Sequence, residues 1–278
     1  MKIMITCVYL GVVAKSLSRT LSSQRDGSPQ TETILQKMNI KPTPIYKYVS
    51  LDIAESIAIS STLKFTNPLK FNDPFDCDIS RLKFDLSQAD SIVRSEVQNL
   101  REKFKNYPEV NDIMLEKTFR DAQIDKIKRS SVCCFSCIET NLLMWAHYSN
   151  KHYGACLIFD NTLENKFPSV PDARFTEMIV DYSEFSQINY CESKINGIKN
   201  LFGKKSLDWE YECEYRLVIL EREGLIRFNS TFLTGVIFGI KVTDEEIERF
   251  KNNSKREKLN LVFKRAIQDL DSLKIVEI

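Results

Sequence analysis

The sequence has few of the side chains that most often carry chemistry, and it lacks the motifs of several nucleotide-binding folds. Only two histidines and two tryptophans occur among 278 residues. No glycine-rich phosphate loop is present, so a Rossmann-type or P-loop nucleotide site is unsupported. A Gly-x-Ser-x-Gly nucleophile elbow is also missing. Lysine and arginine number 39 against 38 acidic residues, so the chain lacks the basic excess typical of a nucleic-acid binder.

The eight cysteines are irregularly spaced. Several adjoin apolar residues, where thiols behave as small hydrophobes, and we expect them to be reduced in a cytoplasmic protein. Cys134 and Cys137 have the spacing of half a zinc site, and His147 follows them. A second pair at matching spacing is missing, so we expect no metal.

The N-terminal part differs in composition from the rest of the chain. Its apolar run after Met1 is too short to span a bilayer, and the stretch from about residue 15 is polar and rich in serine, as linkers are. We therefore predict an N-terminal extension and polar linker over residues 1–43 and a single α+β domain over residues 44–278. We expect no membrane association.

Helical and strand patterns are mixed in this domain without strict alternation, which favours an α+β fold over a doubly wound sheet. Residues 87–129 lack glycine and carry apolar residues at intervals of three and four, which predicts two helices broken near Tyr107–Pro108. The last third is rich in strand patterns. We predict a mixed, mostly antiparallel sheet core with an inserted helical segment.

The rare histidines and tryptophans fall in two short segments, residues 145–154 and residues 209–216. We predict that these segments build one site, with both tryptophans mostly buried. The alternative is that Trp145 and Trp209 are core anchors and that the histidines lie beside them by chance. His147 would then be a core histidine instead of a base or a ligand-orienting donor. Gly154, at the predicted helix-to-strand junction, suits a positive φ.

The segment from Tyr211 to Ile219 has the pattern of a strand. Its alternation would place Glu212, Glu214 and Arg216 on one face. The arginine would orient one carboxylate and leave the other free for a ligand. The alternative is a solvated sheet face with ordinary salt bridges.

Several motifs occur in a fixed order: residues 45–48, the Asn-Asp-Pro-Phe-Asp segment at 72–76, residues 134–136, the Trp-Ala-His-Tyr segment at 145–148, and residues 209–216. In this order they resemble the bacterial family catalogued as domain of unknown function 2971. The similarity runs from about residue 44 to the C-terminus. The family name implies no activity.

The order of elements also bears a weaker resemblance to ADP-ribosyltransferase-like domains. In those domains a His or Arg on the first strand fixes NAD, a middle tyrosine stacks on nicotinamide, and a late glutamate stabilises an oxocarbenium ion. Here the first strand offers Tyr46, Lys47 and Tyr48, and no His or Arg. The resemblance implies a glutamate role for Glu212 or Glu214.

The resemblance implies that Tyr148 or Tyr153 supplies the stacking ring. It further implies an NAD-consuming enzyme, a toxin or phage-defence effector whose macromolecular target is unknown. One alternative is a non-catalytic nucleotide- or peptide-binding module with an aromatic and acidic pocket. Another is a metal-dependent enzyme that uses His147 with the two glutamates.

The predicted catalytic residues are Glu212, Glu214 and His147, and the predicted ligand-binding residues are Tyr46, Tyr48, Asn72, Asp73, Asp76, Tyr148 and Arg216.

Overall fold

An eight-stranded sheet organises the part of the chain that the structure, a computed structural model, describes: residues 41–171 and 174–278. The predicted extension therefore lies outside the described residues except for its last three positions. Residues Thr43–Ile278 form one compact unit. The strands in chain order are β1 (Ile45–Val49), β2 (Thr62–Phe65), β3 (Leu82–Lys83), β4 (Ser131–Ser136), β5 (Ala155–Phe159), β6 (Phe175–Ile179), β7 (Asp181–Tyr182), β8 (Ile188–Asn189), β9 (Lys204–Lys205), β10 (Glu214–Ile219), β11 (Gly224–Arg227), β12 (Leu233–Phe238), β13 (Val262–Asp269) and β14 (Ser272–Glu277).

The large sheet has the strand order β14-β13-β12-β5-β1-β4-β10-β6. Its neighbours are antiparallel except for the parallel pair β12 and β13. Three two-stranded sheets surround it, formed by β2 with β11, β3 with β8, and β7 with β9. The predicted α+β class and the mixed, mostly antiparallel core are confirmed.

The helices of the described residues are α1 (Leu51–Ser60), α2 (Ser91–Phe104), α3 (Asp112–Lys128), α4 (Leu142–Tyr148), α5 (Lys194–Phe202) and α6 (Asp244–Arg256). The two helices predicted within residues 87–129 are present as α2 and α3, inserted between β3 and β4. Thr243 begins α6 with a capping box, in which its hydroxyl accepts from the Glu246 amide and the Glu246 carboxylate accepts from the Thr243 amide. The spacing of apolar residues thus located α2 and α3 correctly.

Alternation along the strands divides the core between the two faces of the sheet. On one face, side chains such as Ile45, Leu157 and Phe238 pack against α1 and α6. On the other face, Tyr46 and Tyr48 pack against Met144 and Trp145 of α4, among other side chains. Helix α4 is thereby fixed beside β1.

The prediction that a strand begins at Tyr211 is wrong for its first residues. Residues Leu207–Glu212 form a 3-10 helix, capped by the Ser206 side chain, which accepts from the Asp208 amide. Cys213 ends this helix in the left-handed region (φ 45°), and β10 begins only at Glu214. Strand alternation therefore does not place Glu212 beside Glu214. The predicted alternative of a solvated face is also wrong, because Glu212, Glu214 and Arg216 are all buried.

The reason for glycine at position 154 also differs from the prediction. The backbone with positive φ precedes it, at Asn150, Lys151 and His152. A side chain at Gly154 would place its Cβ 2.2 Å from the carbonyl oxygen of Val49 and 2.8 Å from that of Ser149. The residue is glycine because β1 and the end of α4 approach too closely for a side chain.

Trp145 anchors α4, and its replacement by alanine should be severely destabilising. The indole is fully buried, packs edge-on against Tyr48 with ring centroids 5.2 Å apart, and donates to the Glu139 carbonyl at 2.8 Å. We expect Trp145→Ala to cost ~3–5 kcal/mol of unfolding free energy, measured by urea denaturation. Trp209 is only half-buried, so Trp209→Ala should cost clearly less. Equal losses for the two variants would contradict this assignment.

Candidate functional site

A cavity lies where the central sheet is interrupted between β1 and β4. The two strands share one registered pair, Tyr46 with Ser136, whereas β1 pairs with β5 along its whole length. At the other end of β4, Val132 exchanges both backbone hydrogen bonds with Thr66, just after β2, at 2.9 Å. Between these two points the edge of β4 faces a gap. The Lys47 ammonium enters this gap and donates to the Cys134 carbonyl at 2.9 Å.

The cavity has a volume of about 310 Å³, at the small end of the range of roughly 300–1,000 Å³ typical of ligand pockets. Its inner end is formed by buried charged side chains, whereas exposed polar side chains stand at its entrance. The inner group is Asp76, Lys205, Glu212 and Glu214, and the entrance group is Lys64, Lys70 and Asn72; other lining residues are Tyr46, Lys47, Tyr48, Met144 and Tyr148.

Arg216 lies behind the inner end of the cavity and orders the acidic residues there. Its guanidinium is fully buried and donates to both carboxylate oxygens of Asp76, at 2.8 and 2.6 Å. Its Nε donates to Glu214 at 2.5 Å, and it also donates to the Phe202 carbonyl at 2.9 Å. This two-point pairing with Asp76 connects the loop of residues 72–76 to β10.

Lys205 bridges the two glutamates. Its Nζ donates to Glu212 at 2.5 Å and to Glu214 at 2.6 Å, and the Trp209 ring covers it with 4.7 Å between Nζ and the ring centroid. The second oxygen of Glu212 accepts from the Tyr148 hydroxyl at 2.5 Å. The 3-10 helix and the first residue of β10 thus bring their carboxylates to the same ammonium group.

The two glutamates differ in their pKa values. Burial and the neighbouring Glu214 raise the pKa of Glu212 to about 8. Burial alone would also raise the pKa of Glu214, but Arg216 and Lys205 hold it well below its usual range. The network contains three carboxyl groups (Asp76, Glu212 and Glu214) and two cations (Lys205 and Arg216). When Glu212 carries a proton, the net charge of the network is therefore zero. Such a separation of pKa values distinguishes a proton-exchanging group from a permanently charged one.

The structure brings most of the predicted site residues to this cavity. Those that line it are Tyr46, Tyr48, Asn72, Asp76, Tyr148, Glu212 and Glu214. Arg216 contacts them from behind and does not line the cavity. Asp73 is buried in its own loop, where one carboxylate oxygen accepts from the Phe75 amide at 2.9 Å.

His147 does not line the cavity. It is exposed on α4, with its ring 6.1 Å from the ring of Tyr211. The core alternative for this histidine is therefore wrong. His152 stacks on Trp145 at 6.4 Å, and burial lowers its pKa. Neither histidine contacts the buried charge network.

Sequence reasoning missed the four lysines that line the cavity, Lys47, Lys64, Lys70 and Lys205. Lys47 could have been found, because a lysine between two tyrosines in a strand with buried flanks is unusual. Lys205 belongs to β9, which has only two residues, and no local pattern connects it to the glutamates. Within residues 41–171 and 174–278, no group of three His, Cys, Asp or Glu side chains is arranged to hold a metal ion.

Comparison with known proteins finds a similarity to one family over part of the chain and no activity. Residues 144–217 match the sequence model of a family described as "Protein of unknown function (DUF2971)". The resemblance predicted from the motifs is confirmed over this segment. The matched segment contains Tyr148, Lys205, Glu212, Glu214 and Arg216, whereas Asp76 lies outside it. No curated protein and no solved structure matches the chain.

Among the helices that the structure describes, none combines the length and the apolar character required to cross a membrane.

Breaking the buried pair of Arg216 should destabilise the protein strongly. Asp76→Ala leaves the guanidinium without its two-point partner in a fully buried position, which should cost about 3–5 kcal/mol of unfolding free energy. The matched control is Glu223→Ala, which removes the exposed pair with Lys70 at 3.2 Å and should cost less than about 1 kcal/mol. Urea denaturation of both variants measures the difference. An Asp76→Ala loss as small as the control's would show that Arg216 does not depend on this carboxylate.

The raised pKa of Glu212 should make the protein less stable as the pH rises. The carboxyl titrates near 4.5 when unfolded and near 8 when folded, so between these values the native state binds more protons than the unfolded state. The contribution of this carboxyl group to stability is complete below about pH 4.5. It decreases as the pH rises and is lost above about pH 8, with a slope of up to about 1.4 kcal/mol per pH unit.

Glu212→Gln should remove this contribution, because glutamine does not titrate. The difference in unfolding free energy between wild type and Glu212→Gln, measured from pH 5 to pH 8, isolates the effect from that of His152, which both proteins share. A difference that does not change with pH would refute the raised pKa.

Proposed function

We propose that the protein is an NAD-consuming enzyme with ADP-ribosyltransferase-like activity, and that Glu212 is its reacting carboxyl group. The observation that carries this proposal is the pair of buried glutamates at the inner end of the cavity, one with a pKa near neutrality and the other held ionised. Perturbed carboxyl groups of this kind, in a concave site, are typical of catalytic centres.

The proposed reaction is cleavage of the N-glycosidic bond of NAD. The bond between ribose C1′ and nicotinamide breaks, and nicotinamide leaves as a neutral molecule with the bonding electron pair. Positive charge develops on the ribose, and nearby carboxylates stabilise it more in the transition state than in the ground state. The oxygen or nitrogen of an acceptor then bonds to C1′ and transfers its proton to the ionised form of Glu212.

The other residues of the network would act through Glu212. Glu214 raises the Glu212 pKa, while Tyr148 and Lys205 fix the orientation of its carboxyl group. A pKa near the working pH is the most effective for general acid–base catalysis. Glu214 and Lys205 are thus positioning residues, and the Tyr46, Tyr48 and Tyr148 rings offer aromatic surface for the ligand.

No disulfide bond joins the seven cysteines of the described residues, as is usual in the cytoplasm, where NAD is available. The proposed activity would suit a toxin or phage-defence effector that modifies a cellular macromolecule.

One observation favours a second candidate, a non-catalytic nucleotide- or peptide-binding module. Each carboxylate oxygen of Glu212 and Glu214 already has a donor within the protein. A network that is satisfied internally can serve to hold the cavity open without reacting. The two candidates differ in turnover, which binding modules lack.

Replacing Glu212 by glutamine should abolish consumption of NAD. Glutamine keeps the size of the side chain but neither stabilises positive charge nor accepts a proton, so we expect a loss of about 10²–10³-fold in kcat. The measurement is release of free nicotinamide from labelled NAD incubated with the protein and a cell extract that supplies acceptors. The matched control is Glu109→Gln, which alters an exposed glutamate between α2 and α3.

The pH profile separates the role of Glu214 from that of Glu212. Wild-type activity should rise with pH up to about 8 as Glu212 ionises. Glu214→Gln removes the neighbouring negative charge and should shift this rise to lower pH.

If the wild-type protein releases no nicotinamide but binds NAD in calorimetry, the binding module is favoured. If it neither consumes nor binds NAD, the proposed function is refuted.

A further inference from the structure

The lysines of the cavity fall into two groups with different partners. Lys205 is buried and paired with both glutamates, and Lys70 pairs with Glu223 at 3.2 Å. Lys47 and Lys64 form no ion pair with any carboxylate among residues 41–171 and 174–278. Lys47 donates to the Cys134 carbonyl and lies over the Phe135 ring, with 5.3 Å between Nζ and the centroid. Two lysines that line the cavity therefore have no carboxylate partner within the part of the chain that the structure describes.

The edge of β4 adds a backbone donor to the same region. Val132 directs its amide and carbonyl away from β10, toward Thr66. Because these groups alternate along a strand, Cys134, two residues further on, directs its amide toward the same gap. Lys64 alternates with the buried Leu63 and Phe65 of β2 and faces the cavity with Thr66. The gap thus presents two ammonium groups and an N–H, which together are complementary to an anion.

We propose that the cavity binds a phosphate-bearing small molecule, with its phosphate or pyrophosphate group between Lys47 and Lys64. The opposite orientation is disfavoured, because the cations of the inner end, Lys205 and Arg216, are already paired with carboxylates there and leave no positive charge for an anion. The uncharged or cationic part of the ligand then lies against Tyr148 and Glu212. This inference deepens the proposed function and rests on it for the chemistry at the inner end.

The test is calorimetric binding of ADP-ribose and of inorganic pyrophosphate to the full chain. Both probes should bind to wild type. Lys64→Gln removes an exposed charge and should weaken binding of both probes about fivefold to tenfold, whereas Lys64→Arg should retain wild-type affinity. Lys103→Gln, on the exposed face of α2, is the matched control. Lys47→Gln keeps a donor for the Cys134 carbonyl and, where its thermal melt matches wild type, should weaken binding by at least as much.

The outcomes separate this inference from the proposed function. Pyrophosphate binding that depends on Lys64, in a protein that does not consume NAD, supports the phosphate site and refutes the proposed reaction. Consumption of NAD with an unchanged KM in Lys64→Gln leaves the reaction standing and overturns the inference. Failure of both probes to bind to wild type, or equal binding to wild type and Lys64→Gln, also overturns it.

Discussion

The whole site depends on the burial of one arginine. Taking the Arg216 guanidinium out of water is costly unless its charge and its donors find partners inside the protein. Asp76 and Glu214 provide these partners, and the Phe202 carbonyl takes a further donor. Because these partners come from a loop, a strand and a helix end, the arginine fixes three otherwise separate elements around itself.

The unequal state of the two glutamates follows from this arrangement. Glu214 is the direct neighbour of Arg216 and stays ionised, whereas Glu212 accepts hydrogen bonds from Lys205 and Tyr148 and does not contact the guanidinium directly. The second carboxyl therefore experiences the negative charge of the first in a poorly solvated place, and its pKa rises. The buried charge of Arg216 thus has two consequences. It forms a structural ion pair with Glu214, and it leaves Glu212 as a group that can exchange protons near neutral pH.

The interruption of the sheet leaves a cavity in front of this network. A continuous β1–β4 ladder would leave no space in front of the glutamates, but pairing stops after Tyr46 and Ser136. Unpaired backbone groups are unfavourable when they are buried, and Lys47 satisfies one of them with its ammonium group. The same side chain therefore stabilises the edge of β4 and gives the cavity its positive charge.

The sequence alone determined the fold class and the two inserted helices, because these depend on spacing and neighbours within a few turns of chain. It also indicated that the Trp-Ala-His-Tyr segment, the Glu-rich segment and the loop at Asp76 contribute residues to a site. It could not show that Glu212 ends a 3-10 helix, since its alternating neighbours match a strand equally well.

Only the tertiary structure decided which of the charged residues meet. Asp76 and Arg216 are separated by 140 positions, and Lys205 comes from a strand of two residues that has no recognisable pattern. It also turned His147 outward, although a histidine beside a buried tryptophan resembles a site residue in sequence. Pairing between distant charges is set by how sheets and loops pack together, and local spacing does not encode that.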